Sequence, residues 1–190
     1  MRRVRLVAAL TIGAAVLAGC SGGQQANETL PSASSTTATA EALPPLGPPD
    51  FPMPDEAREM TPEGAEAGLR YYLDLITHQA GVSGEPLRDL SRDCEFCTFI
   101  ANRYDEDAAA GYSYRGGELT VEGMSRPAVN GSTAEFSLSL TQAAVDILDA
   151  NNAPVPGRGQ AAAERLNTGA RMTWSSQQEY WVMNQIIVNS

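Results

Sequence analysis

The sequence predicts an α+β domain in which N-terminal helices pack on a curved, four-stranded antiparallel sheet. Three observations lead there. Apolar residues recur at helical spacing between Thr61 and about Ala110. Beyond Leu119 they alternate with polar residues instead. A stretch rich in Pro, Ser and Thr separates this body from an Arg-led apolar leader. Because the helical period precedes the strand period, the helices are expected on one side of the sheet rather than interleaved with its strands.

The leader opens with Met1 to Arg5, which holds three Arg and no acid. An apolar run follows from Leu6 to Leu17, broken only by Thr11 and Gly13. Such a run is too short to cross a hydrocarbon core of about 30 Å as a permanent helix and reads as a signal peptide over residues 1–19. Leu17-Ala18-Gly19-Cys20 resembles the bacterial lipobox. That resemblance implies a diacylglycerol thioether on Cys20 and a protein lipid-anchored to the extracytoplasmic face of the cell membrane. Two or three acyl chains, at about 0.8 kcal/mol per buried CH2, hold a protein on a bilayer where one chain does not. Cleavage removes three Arg and leaves the remainder more acidic, so lipid rather than basic attraction to headgroups is expected to hold it.

Residues 20–54 read as the lipidated Cys followed by a tether. Ser, Thr, Ala, Gln, Gly and Pro dominate it, and Phe51 is its one aromatic residue. Such a composition buries too little apolar surface to offset the entropy of ordering, so disorder is expected, with the Pro-rich run from Leu43 to Pro54 stiff and extended.

The folded domain is expected over residues 55–190. Thr61-Pro62-Glu63 reads as a helix start: a capping hydroxyl, Pro at the first helical position and an acid at the positive end of the dipole. Ala65, Leu69, Tyr72, Leu73 and Ile76 carry that helix to about Gln79, and Gly81 and Gly84 end it. A short helix is expected from Pro86 to Ser91. A third is expected from a Thr98 cap to about Ala110, closed by Gly111. Four strands follow, around Leu119 and Val121, Ala134 to Leu140, Met172 and Trp174, and Tyr180 to Ile187. Asn130-Gly131 and Ser175 to Gln178 are the expected turns, and Asn151 to Gln160 a loop. Val145 and Ile147 fall out of phase with Leu138 and Leu140, which predicts a bend between them.

With 190 residues the chain has room for one domain plus a tail. Its net charge of −10, with Arg as the only strong base, argues against a nucleic-acid partner, which needs a cationic face. A single His and three Cys leave little for a metal centre, and no cofactor or metal is expected.

Helices followed by an antiparallel meander resemble the nuclear-transport-factor-2-like (cystatin-like, SnoaL-like) cone fold. The chain is also similar to a family of uncharacterised actinobacterial lipoproteins. The residues that carry this likeness are the lipobox, the Pro-rich tether, Thr61-Pro62-Glu63-Gly64-Ala65, Tyr71-Tyr72-Leu73, Cys94-Glu95-Phe96-Cys97, Trp174 and Tyr180-Trp181-Val182. The resemblance implies a cone-like sheet and an address, and no catalytic residue.

Cys94 and Cys97 stand in an exported, disulfide-permissive compartment and read as a structural disulfide. A thiol-redox pair at a helix N-terminus is the alternative, although Glu95 disfavours a thiolate there. Asp74 and His78 lie with Tyr71 beside the apolar face of the first helix. They are a speculative acid/base pair for an enzyme on the same scaffold, or a solvated surface with His78 at the negative end of the dipole. Tyr72, Tyr112, Tyr114, Phe136, Trp174 and Trp181 are candidate walls of a ligand cavity, or core at strand spacing. Asp105-Glu106-Asp107 reads as a solvated helix face. The expected role is a non-enzymatic module that binds an envelope protein or a small ligand. The anchor makes one prediction: cells expressing the chain incorporate radiolabelled palmitate into it and yield it with their membranes. Unlabelled, soluble polypeptide inside cells counts against that reading.

Overall fold

The structure, a computed structural model, describes residues 44–189. The expected signal peptide, Cys20 and the expected tether as far as residue 43 lie outside the described residues. Among those described, no helix is long and apolar enough to cross a membrane. The body is α+β. A 3-10 turn (Asp55–Arg58) leads to α1 (Pro62–His78), α2 (Glu85–Asp89) and α3 (Glu95–Ala109). Seven strands follow: β1 (Ser113–Gly116), β2 (Leu119–Met124), β3 (Ala128–Asn130), β4 (Thr133–Gln142), β5 (Val145–Leu148), β6 (Ala163–Ser175) and β7 (Tyr180–Asn189).

The first helix starts where its sequence requires. Thr61 is extended, its hydroxyl accepts from Gly64 N–H at 2.9 Å, and Pro62 spends no N–H. The third helix begins earlier than its Thr98 suggests. Cys94 is the cap, its Sγ accepting from Cys97 N–H at 3.2 Å, while the Thr98 hydroxyl bonds back to Cys94 O at 3.0 Å from inside the helix. Gly111, at φ +71°, closes that helix as expected.

The principal sheet runs β2-β4-β6-β7, all antiparallel, and corresponds to the four-strand meander that alternation predicts. Ala134, Phe136, Leu138 and Leu140 of β4 turn inward, and Met172 of β6 and Trp181 and Met183 of β7 join them in one core with Leu69, Tyr72 and Leu75 of α1. The register shifts at each pairing of the path, with the extra residue on β2 against β4, on β6 against β4 and on β7 against β6, and each adds local bend and twist to the sheet. Two features are additional to the meander. The exposed β3 pairs with the start of β4, and β1 pairs with β5 in a separate two-stranded ladder. Neither β1 nor β3 is long enough to show a period. The phase slip at Val145 is the point where the chain leaves the main sheet for β1.

The second half of the expected tether is folded. Leu46 and Phe51 pack against the core and Met53 is buried in it. Met53 N–H bonds Leu46 O at 2.8 Å, and the Phe51 ring lies over Tyr71 and His78 with centroids 5.3 and 4.5 Å away. Composition predicts disorder here because few of these residues are apolar. Yet Phe51 lands on the Tyr71 and His78 stripe of α1, Leu46 and Met53 reach the core, and the prolines lower the entropy lost on docking. The ordered body therefore includes residues 44–54.

Gly84 marks the tightest helix contact. A Cβ there would stand 2.0 Å from Ala101 O, in the backbone of α3. Beside it, Asp105 accepts from Gly84 N–H at 2.7 Å and pairs with Arg88 at 2.5 Å. Gly84→Ala is expected to push α2 off α3 and to cost about 2 kcal/mol or more, in the range of overpacked cores. Urea unfolding measures it, and an unchanged midpoint would contradict the contact.

Candidate functional site

The helices do not close fully onto the sheet. A pocket of about 640 Å3 opens between α1, α3, the sheet and the β5–β6 loop. Most of its wall is apolar, including Ile76 of α1, Phe96 and Phe99 of α3, Leu140 of β4, Ile147 of β5 and Ile186 of β7. Phe99 is 68% exposed although it is a large apolar residue, and with Ile100 and Val188 it makes part of the rim apolar as well.

One end is different in kind. Asp107, on α3, is 1% exposed. Arg103, one helical turn before it, approaches Oδ2 at 3.2 Å; Tyr114 OH of β1 donates to the same oxygen at 2.5 Å; and Arg158 Nη2, from the β5–β6 loop, donates to Oδ1. Tyr112 lies under the Arg158 guanidinium, 5.6 Å from ring centroid to Cζ. Arg103, Tyr104, Tyr114 and Arg158 all face the pocket. Burial, and then the neighbouring carboxylate, push the Tyr114 hydroxyl up to about 12. Tyr104 is raised too, by burial first and by Tyr114 and Asp107 after it. Both phenols are donors at any physiological pH.

This arrangement corrects two readings of the sequence. Asp105-Glu106-Asp107 is no solvated face: Asp105 ties α3 to Gly84 and Arg88, Asp107 is buried, and Glu106 alone is exposed. Of the proposed cavity walls, only Tyr114 lines the pocket. Tyr72 is buried with its hydroxyl on Leu87 O, Phe136 is core, and Tyr112 packs under Arg158. Trp181 is buried with Nε1–H on Glu59 O at 2.8 Å, and Trp174 meets it edge to face. Strand alternation identifies inward-facing residues but does not say which part of the interior is left open. Arg103 and Asp107 were readable as a helical i, i+4 pair. Arg158 was not, since Gly157-Arg158-Gly159 looks like any exposed loop.

Asp74 and His78 do not converge. His78 Nε2 is 3.2 Å from Asp50 Oδ2 and its ring stacks on Phe51, whereas Asp74 is exposed and neither residue lines the pocket. Cys94 and Cys97 form a disulfide, both residues are buried, and the bridge sits in the first turn of α3. Burial keeps its sulfurs from an attacking thiolate, so local rigidity is its evident contribution.

No family model matches the chain, and no curated protein matches it either. Among solved structures it is similar to the intermembrane space region of chloroplast protein ARC6. That likeness has 19% identity and a TM-score of 0.49, over 70% of this chain and 98% of that one. It is also similar to an NTF2-like designed protein at 11% identity and a TM-score of 0.40, over 67% of this chain and 97% of that one. At these TM-scores neither likeness bears on activity.

The raised tyrosines give a pH dependence of fixed sign. A proton held more tightly folded than unfolded stabilises fully below the ordinary value of 10.0, and that stabilisation is lost as pH climbs through about 12. Tyr71, raised to about 12 by burial, acts in the same direction. The urea midpoint should therefore fall between these two pH values, and Tyr114→Phe should fall less steeply. A midpoint that rose across this window would contradict the burial of both hydroxyls.

Proposed function

We propose that this chain is a lipid-anchored envelope protein whose domain is a non-enzymatic module, binding a small apolar ligand between α1, α3 and the sheet. The observation that carries the reading is the open pocket itself. Interiors are normally packed to crystal density, and apolar surface left uncovered costs about 25 cal/mol per Å2. A space of about 640 Å3 with an apolar wall is of ligand size. The anchor at Cys20, the membrane as a partner and the kinship with actinobacterial lipoproteins are supported by the leader and by the motifs that resemble that family. Helices that precede a bulged antiparallel sheet are consistent with an NTF2-like module.

Acid/base catalysis by Asp74 and His78 gains no support, because they share no contact among the described residues and stand outside the pocket. Thiol redox chemistry fares no better with a buried Cys94–Cys97 bridge.

Nile red, a neutral apolar dye, tests the pocket. One dye per chain should bind saturably with blue-shifted emission. Ala163→Trp, which fills the pocket from the start of β6, should weaken that binding by about tenfold while leaving thermal unfolding within a few degrees. Absence of saturable binding, or indifference to Ala163→Trp, would overturn the reading.

A further inference from the structure

The pocket is graded along α3. Phe96, Phe99, Ile100, Arg103 and Tyr104 all line it, at the spacing that keeps side chains on one helical face. The first three are apolar and occupy the N-terminal half. The rise from Phe96 to Arg103 is about 10 Å, after which the wall turns cationic and hydroxylated. Among the described residues the wall carries two guanidinium groups, Arg103 and Arg158, and no carboxylate. Asp107 lies behind them and offsets one of the two charges, so one positive charge is left over. Arg158 Nε is also buried without a hydrogen-bond partner in the described structure, although its Nη2 is engaged. Each arginine keeps part of its side chain accessible, 35% and 29%, so an anion entering the apolar trough can pair with the cation left over.

From this geometry we infer that the pocket takes an anionic amphiphile, with its alkyl chain along Phe96, Phe99 and Ile100 and a single anionic head at Arg103 and Arg158. The inference rests on the binding-module reading and adds the ligand's charge and polarity. The net acidity of the chain does not oppose it, because exposed charges beyond a Debye length of about 8 Å are screened at physiological ionic strength. Carboxylate and phosphate heads share this chemistry.

Calorimetric titration of the purified chain, kept below micelle concentrations, separates the possibilities. The probes are decanoate, decyl phosphate, decanol, decyltrimethylammonium and acetate. One of the two anionic amphiphiles should bind one to one, about tenfold or more tighter than decanol, with the cationic amphiphile weaker still. Whichever anion is preferred identifies the source of the head. Arg103→Gln should bring the preferred anion down to the affinity that decanol shows for the same variant. Phe99→Glu alters an exposed rim residue that the fold does not need, and should weaken anionic binding by about tenfold even if Arg103→Gln proves unstable. Equal binding of decanol and both anions would overturn the charge assignment and leave the pocket reading standing. Acetate as tight as decanoate would overturn the amphiphile assignment. If none of the alkyl probes binds, the pocket reading itself is lost.

Discussion

A carboxylate buried to the extent of Asp107 needs neighbours that replace the hydrogen bonds of the water it has lost. Three groups do so, from three parts of the chain: Arg103 from its own helix, Tyr114 from β1 and Arg158 from the loop between β5 and β6. The cluster is thus a junction between α3 and the small β1–β5 ladder, which is a sheet of its own. Breaking a buried pair by removing one partner costs about 3–5 kcal/mol, far more than an exposed ion pair returns. The same junction stations two arginines at the end of an apolar pocket, so a structural requirement and a recognition surface share their atoms.

On the other side of α1 the chain solves a different problem. Tyr71 and His78 form a stripe that faces away from the pocket, and the segment before the helix covers it. Phe51 supplies the apolar contact and its carbonyl takes the Tyr71 hydroxyl at 2.8 Å. Gly47 permits the approach, since it stands at φ +85° where a Cβ would collide with Tyr71. Arg58 reaches back to Pro44 O and across to Gln178 O, linking the strap to the β6–β7 turn. The first helix is therefore packed on two sides, and the histidine is held by packing rather than aimed at a substrate.

The last strand shows how the sheet edge is managed. Its outer side would offer unpaired backbone groups, a hazard for edge-to-edge association. The segment after α2 covers part of it: Met183 N–H bonds Leu90 O at 3.0 Å and Arg92 N–H bonds Met183 O at 2.9 Å. The Tyr180 hydroxyl on Asp89 O secures the same region. These contacts explain why Tyr180 to Met183 are buried in succession rather than alternately.

Local signals in the sequence determined the element types and their order. A capping Thr61 with Pro62 behind it, an apolar residue every three or four positions to Ile76, strict alternation from Ala134 to Leu140 and the Asn130-Gly131 turn each act within a few residues of themselves. Such effects remain legible without neighbours. The tertiary structure alone decided what met what over distances that local pattern does not encode. It brought Arg158 to a carboxylate on α3, laid Phe51 on Tyr71, sent β5 to pair with β1 and left a pocket beside α3 rather than among the tryptophans. The physical reason is that periodicity reports which side of an element is apolar, whereas partner choice and empty space depend on how several such sides fit together at once.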